Sequence, residues 1–184
     1  MTVKEILLQS ATLSGREDVV ESISKNIEPS GDTLTAINVM VRLLNMVISE
    51  LSASFIPLIA VDKIHAKEKI DFKYLSKNVI EVLNVYDDVG QEIPFTVFYD
   101  HVKLARPCAS IKYKYVNSTY DLTDTLDYTE KDIPSSVLAY GLSAEFALSE
   151  GDFDRACSLH DRYVEGVHSI CKPKNYKTKA REWR

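Results

Sequence analysis

Residues 133–171 predict a pair of antiparallel helices, and this pair constrains the fold more than any other stretch of the chain. Between Val137 and Leu148, apolar and small residues recur at steps of three and four, which is the spacing of one helix face. Gly151 can adopt the left-handed conformation that ends a helix, and Asp152 can cap the next one. The pattern therefore predicts a helical hairpin joined at this glycine.

The start of the first helix and the core-facing side of the second can also be assigned. We expect Asp132 to be the N-cap of the first helix, with Pro134 in the first turn, where its missing N–H costs nothing. One face of the second helix should pack on the core. That face carries Phe153, Ala156, His160, Tyr163, Val164, Val167 and Cys171. The opposite face is polar and should meet water.

Residues 172–184 form a basic segment without helical periodicity. We expect an extended C-terminal arm that docks on a partner, because large aromatic side chains such as Trp183 serve as anchors in interfaces. The expected partner-binding residues are Lys172, Lys174, Tyr176, Lys177, Lys179, Arg181, Trp183 and Arg184. The alternative is a disordered, solubilising tail, which is the usual role of a charged terminus.

The charge of the chain is divided unevenly between this arm and the rest. The formal net charge is -5, and six basic residues against one acidic residue put +5 on residues 172–184. Residues 1–171 therefore carry -10. An acidic body repels nucleic acid, so we expect at most incidental contact with DNA, whereas opposite charges on body and arm suit self-association.

Three helices are expected before residue 53. They span residues 3–13, 15–27 and 33–52. Thr2-x-x-Glu5 and Ser14-x-x-Glu17 have the form of a capping box, and Asp32 is the expected N-cap of the third helix. The third helix has the cleanest helical stripe in the sequence, so we expect it to be the central core helix.

The middle of the chain, residues 55–116, predicts a small antiparallel sheet or barrel. The expected strands are Leu58–Ile64, Val79–Tyr86, Ile93–Tyr99 and residues 111–115. Asp87–Gly90 is a turn signal that would make a hairpin of the second and third strands. Tyr113 and Tyr115 alternate with Lys112 and Lys114, which places tyrosines and lysines on opposite faces.

An acidic connector, residues 118–132, joins this sheet to the helical hairpin. Asp121, Asp124 and Asp127 could bind a divalent cation or receive the basic arm of a neighbouring copy. The loop has neither the glycine nor the spacing of a calcium loop. The favoured interpretation is a solvated, exposed connector.

No pattern in the sequence predicts catalysis, a cofactor or a metal site. Cys157-x-x-His160 and His168-x-x-Cys171 look like zinc ligands, but on one helix they would extend over about 21 Å, too far for one site. Phosphate-binding and nucleophile-elbow motifs are missing. We therefore expect no enzyme, and we expect reduced cysteines in a cytoplasm, with no signal peptide or membrane span.

Several features of the last third resemble the head-to-tail connector (adaptor, or head-completion) proteins of tailed bacteriophages. They are Tyr140, Gly141, Ala144, Glu145 and Phe146, the turn Glu150-Gly151-Asp152-Phe153 with Ala156, and the basic end with Arg181 and Trp183. The resemblance extends more loosely back to about Phe55. It covers little of the first fifty residues.

This resemblance implies a structural virion protein at the neck between portal and tail. Such a protein is assembled in the host cytoplasm, binds the portal after DNA packaging, and forms a ring of about twelve copies that is the platform for the tail. The expected partners are the portal protein, tail or further neck proteins, and other copies of the chain. The alternative function is a cytoplasmic protein-interaction module that uses the helical hairpin.

The expected fold class is α+β, a mainly helical bundle with an inserted small antiparallel sheet or barrel and an extended basic C-terminal arm. Residues 1–171 would be a single domain, helical at 1–52 and 133–171, with the sheet at 55–116 and the connector at 118–132. Residues 172–184 would be the docking arm.

Overall fold

A computed structural model describes residues 1–116 and 119–171 of the 184-residue chain. Within these ranges the fold is mixed α+β, with five helices and two small antiparallel sheets. The helices are α1 Val3–Ser14, α2 Glu17–Lys25, α3 Gly31–Ser54, α4 Ser135–Glu150 and α5 Phe153–Cys171. The strands are β1 Leu58–Ala66, β2 Lys69–Asp71, β3 Asn78–Tyr86, β4 Phe95–Val97, β5 His101–Leu104 and β6 Cys108–Val116.

The first helix begins as its local sequence predicts. The Thr2 hydroxyl accepts a hydrogen bond from the Glu5 backbone N–H, and the Glu5 carboxylate accepts one from the Thr2 N–H at 2.7 Å. Gly15 then ends α1 at a φ of 70°. Both signals lie within one helical turn of the bonds they form, so the sequence was sufficient to find them.

Two other predicted helix starts are wrong. Ser14 is the last residue of α1 rather than the first cap of α2, which begins at Glu17 without a side-chain cap. Ser30 occupies the N-cap position of α3, and Asp32 lies inside the first turn, where its charge favours the helix dipole. A carboxylate near a helix start therefore has two roles that spacing alone does not separate.

The central core helix is α3, as predicted. One stripe of this helix is buried: Ala36, Ile37, Met40, Leu44, Val47, Ile48 and Leu51. By length and composition α3 is also apolar enough to cross a membrane, which the sequence analysis did not anticipate. The core helix of a globular domain has the same properties, and the buried stripe is what such a helix requires.

Helix α4 is the element on which the other helices pack. It contacts α1, α3 and α5, and Leu138, Ala139 and Leu142 are fully buried. The Ser10 hydroxyl of α1 and the Ser143 hydroxyl of α4 form a buried hydrogen bond of 2.8 Å. Small residues at this contact let the two helices approach closely without leaving a polar group unpaired.

The predicted start of α4 needs a correction. Pro134 occupies the N-cap position and α4 begins at Ser135. Asp132 instead closes its own turn, accepting hydrogen bonds from the Thr129 N–H and hydroxyl at 2.9 and 2.8 Å. Glu130 accepts the hydrogen bond from the Ser135 N–H at 3.0 Å. The acidic residue that satisfies the helix start is therefore two positions earlier than predicted.

The exposed and buried faces of α5 also differ from the prediction. The buried residues are Ala156, Leu159, Tyr163 and Val167. Phe153, His160 and Cys171, which we expected to face the core, are exposed. At about 100° per residue, the true stripe is rotated by roughly 50° around the helix axis, because Leu159 rather than His160 packs inward.

The strands form two separate sheets, with orders β1-β6-β3 and β2-β5-β4. The predicted hairpin of Val79–Tyr86 with Ile93–Tyr99 is wrong beyond its turn. The Ile93 N–H still donates to the Val85 carbonyl at 2.8 Å, but Pro94 has no N–H to continue the ladder. The chain then leaves β3, and β4 pairs with β5 in the second sheet.

Candidate protein-binding surfaces

The eight arm residues that we expect to bind a partner lie outside the described residues. They are Lys172, Lys174, Tyr176, Lys177, Lys179, Arg181, Trp183 and Arg184. The structure does show where this segment begins. The Cys171 thiol lies 3.9 Å from the carbonyl oxygen of Phe55, and the rings of Phe55 and His168 are 6.5 Å apart in an edge-on contact. The basic arm therefore begins beside a residue that is three positions before β1.

The three aspartates of the acidic connector have different environments. Asp127 is partly buried and accepts hydrogen bonds from the Tyr115 hydroxyl at 3.0 Å and from the Lys77 ammonium at 3.3 Å. Asp124 accepts one from the backbone N–H of Asp121 at 2.7 Å, which closes a local turn. Asp121 is exposed. Of the proposed arm-receiving residues, Asp121 and Asp124 are therefore more available than Asp127.

The expectation of an exposed connector is wrong for its large side chains. Tyr120, Leu126, Tyr128 and Ile133 are 5% exposed or less. The Tyr128 hydroxyl donates to the Ile56 carbonyl at 2.6 Å. These contacts join the connector to the core, so it holds the helices and the sheet together.

The connector is also tied to the helices through its backbone. The side chain of Asn45 both donates to the Tyr120 carbonyl and accepts from the Tyr120 N–H. The Val3 N–H donates to the Asp124 carbonyl, and the Leu126 N–H donates to the Met1 carbonyl. A composition rich in aspartate concealed this role, because each of these bonds joins residues that are distant in sequence.

Helices α4 and α5 touch at two glycines. A Cβ on Gly141 would lie 2.9 Å from the Tyr163 ring, and a Cβ on Gly166 would lie 2.8 Å from a Val137 methyl group. Both helices therefore present a backbone surface to a large side chain of the other. The Tyr163 hydroxyl is buried with no hydrogen-bond partner among residues 1–116 and 119–171, and burial raises its pKa to about 12.

Replacing Gly166 with alanine should lower the free energy of unfolding by about 1–3 kcal/mol, because the new methyl group would overlap Val137. Alanine also favours a helix over glycine by about 1 kcal/mol. In a Val137→Ala background the overlap is removed, so the same substitution should be neutral or stabilising. Urea unfolding of the four proteins measures both effects. An equal loss in both backgrounds would show that the two helices are not in close contact.

The β1 edge of the first sheet is a second candidate surface, and the sequence analysis did not identify it. Strand β1 lies at one edge of the sheet, and the exposed fractions of Ile59 and Val61 are 50% and 59%. Pairing with β6 is regular from Leu58 to Lys63. The opposite edge, β3, has two register shifts, which protect an edge from pairing. The regular edge with apolar side chains is the one suited to accept another strand.

The second sheet carries exposed aromatic residues at its tip. Tyr99 is fully exposed, and Tyr74 is two-thirds exposed. The Phe98 ring stacks on the His101 ring at a centroid distance of 4.7 Å. A wide depression of about 600 Å³ lies beside them, lined by Lys69, Asp71, Phe72, Lys73, Tyr99 and Asp100. Its openness to solvent and mixed charges suit contact with a protein surface better than enclosure of a small ligand.

The cysteine and histidine residues of α5 do not meet at one point. Cys157, His160, His168 and Cys171 are all exposed along the helix. In the part of the chain that the structure describes, no three His, Cys, Asp or Glu side chains form a group that could hold a metal ion. What these surfaces offer is contact area, charge and an open strand edge, which is the chemistry of protein association.

The chain matches no protein-family model and no curated protein. The resemblance to head-to-tail connectors therefore depends on the residues quoted above and remains a prediction. Apart from Arg181 and Trp183, those residues lie in α4, in α5 and in the turn between them.

Proposed function

We propose that this chain is a structural virion protein, the head-to-tail adaptor of a tailed bacteriophage. It binds the portal after DNA packaging and forms, as a ring of about twelve copies, the platform for the tail. In this proposal the helices make a bundle with the sheets inserted between α3 and α4, and residues 172–184 extend from it as a docking arm. The protein acts by binding and carries out no reaction.

The observation that carries the proposal is the packing of the residues on which the resemblance depends. Gly141 lies against the Tyr163 ring, and Gly151 ends α4 at a φ of 82°. Asp152 accepts a hydrogen bond from the Arg155 N–H in the first turn of α5. The motif is therefore one structural unit, and each of its special residues has a position that requires it. This supports a family pattern over a coincidence of sequence.

A ring requires two different, complementary surfaces on every copy. The chain offers opposite charges for this purpose, with +5 on residues 172–184 and -10 on residues 1–171. Exposed Asp121 and the neighbouring Asp124 are the residues we propose for contact with a basic arm, either from the next copy or during assembly. Ion pairs at the surface contribute little one by one, so their main effect is on orientation and association rate.

The arm contributes most when many copies act together. Each arm loses conformational entropy when it docks, and Trp183 and Tyr176 are the side chains able to recover that cost by burying apolar area. On a symmetric portal, the contacts of all copies act at once, so weak individual contacts give a stable complex. The alternative of an interaction module that uses the helical hairpin is less well supported, since most of α4 is buried and only the outer face of α5 is open.

Replacing Trp183 with alanine should weaken binding to purified portal rings of the same virus by more than about tenfold, because loss of an aromatic anchor typically costs 2 kcal/mol or more. Lys174→Ala is the matched control in the same segment and should weaken binding by about threefold or less. Co-sedimentation over a range of concentrations measures both. Equal losses would contradict the anchoring role of Trp183.

A further inference from the structure

We infer that in the free chain residues 175–182 bind along the open edge of β1 as a fourth, parallel strand of the first sheet. The occupant is this segment of the same molecule. The inference depends on where the segment begins, on its length and pattern, and on the charges beside β1. It goes beyond the adaptor function and does not depend on it.

The starting position and the length both fit. Cys171 contacts Phe55, so the segment starts at the same end of the sheet as β1 and must run in the same direction. From Phe55 to the last residue of β1, Ala66, is eleven positions, and from Cys171 to Glu182 is also eleven. Each stretch is about 36 Å long when extended, at about 3.3 Å per residue. The first three residues after Cys171 include Pro173, which can make the turn out of α5.

The segment has the period of a strand and not of a helix. Tyr176, Thr178 and Ala180 alternate with Lys177, Lys179 and Arg181. In an extended conformation, the first three side chains share one face and the three basic ones share the other. A strand of this kind fits an edge that is apolar on one side and acidic on the other.

The surroundings of β1 decide which face points where. On the outer face, Ile59 and Val61 stand opposite Lys114 and Lys112 of β6, and Lys63 lies on the same side. A basic face would be repelled there, whereas tyrosine, threonine and alanine can pack on the two exposed aliphatic residues. The apolar face of the segment therefore lies outward, over Ile59 and Val61.

The inner face of the sheet receives the basic side chains. Asp62 points inward, where it accepts hydrogen bonds from the Ser76 N–H at 2.7 Å and from the Tyr113 hydroxyl at 2.8 Å. Burial alone would raise the pKa of Asp62, but these hydrogen bonds outweigh it and hold the pKa below its usual value. Asp62 is therefore charged at neutral pH. Asp127 lies on the same side, bonded to Tyr115.

Amide hydrogen exchange of the full-length chain tests the inference. The alternate β1 amides that point away from β6 should exchange at least about tenfold more slowly than unprotected amides, because the added strand accepts their hydrogen bonds. Protection should not change with protein concentration. Unprotected amides would overturn the inference, and protection that rises with concentration would assign the edge to a second copy and overturn it as well.

Two neighbouring proline variants make the test specific for a strand. Successive N–H groups of a strand point to opposite sides, so only one of Thr178 and Lys179 can donate to β1. Proline removes that donor, while proline at the neighbouring position removes an N–H that faces solvent. One of Thr178→Pro and Lys179→Pro should therefore release the β1 amides, and the other should leave them protected. Equal effects would overturn the inference, and an unchanged thermal unfolding curve verifies that both variants are folded.

Discussion

Replacing Tyr128 with alanine is expected to lower the free energy of unfolding by about 3–5 kcal/mol. The side chain is 2% exposed, and its hydroxyl donates to the Ile56 carbonyl at 2.6 Å. Alanine would leave a cavity where the connector meets the end of α3, and it would leave that carbonyl without its partner. Chemical denaturation monitored by circular dichroism measures the change.

Two further variants separate the contributions at this position. Tyr128→Phe removes only the hydroxyl and should cost about 0.5–1.5 kcal/mol. Asp121→Ala, in the same connector but exposed, should change the stability by less than about 0.5 kcal/mol. If Tyr128→Ala were as mild as Asp121→Ala, the connector would be a solvated loop, as its composition suggested, and the anchored connector described here would be wrong.

The second large effect is expected from Leu142→Ala in α4, at about 2–5 kcal/mol. Leu142 is fully buried in the helix that contacts α1, α3 and α5, so its side chain is surrounded by atoms that cannot collapse into the space. Leu148→Ala is the matched control, because Leu148 lies in the same helix and is 48% exposed.

The comparison of these two leucines uses the same pair of residue types in one helix, so differences in helix propensity cancel. Thermal unfolding followed by circular dichroism should show a clearly lower midpoint for Leu142→Ala and a small shift for Leu148→Ala. Similar midpoints would mean that α4 is not the element on which the other helices pack.

Those parts of the fold that depend on neighbours in sequence could be predicted from the sequence. The capping box at Thr2 and the glycine end of α4 at Gly151 involve partners within one turn, and both are confirmed. The long stripe of α3 and the split of tyrosines and lysines on β6 are also confirmed, because periodicity over many residues averages out local ambiguity.

The errors occur where distant residues decide the outcome. Asn45 and Tyr120 are 75 positions apart and Ile56 and Tyr128 are 72 apart, so no local pattern could show that the connector is anchored. The buried face of α5 was misjudged by roughly half a residue step because the position of α4, not the sequence of α5 alone, selects Leu159. Pairing of β4 with β5 rather than β3 depends in the same way on where the chain goes after Pro94.

The candidate surfaces divide along the same line. The basic arm was evident from composition, yet its residues lie outside the described ranges and their role remains a proposal. The open β1 edge was not evident, since an edge strand and a central strand have the same alternation, and only the sheet order distinguishes them. A signal was present all the same, because Ile59 and Val61 share one face with lysines that a core strand would not carry.

The most direct test of the adaptor proposal is the mass of the complex formed when full-length chain is added in excess to purified portal rings from the same virus. Native mass spectrometry, or sedimentation velocity at several ratios, would measure it. The proposal predicts saturation at about one chain per portal subunit, with a single saturated species. Portal rings whose mass does not change, under conditions where Leu148→Ala and the unmodified chain are both folded, would contradict the proposal.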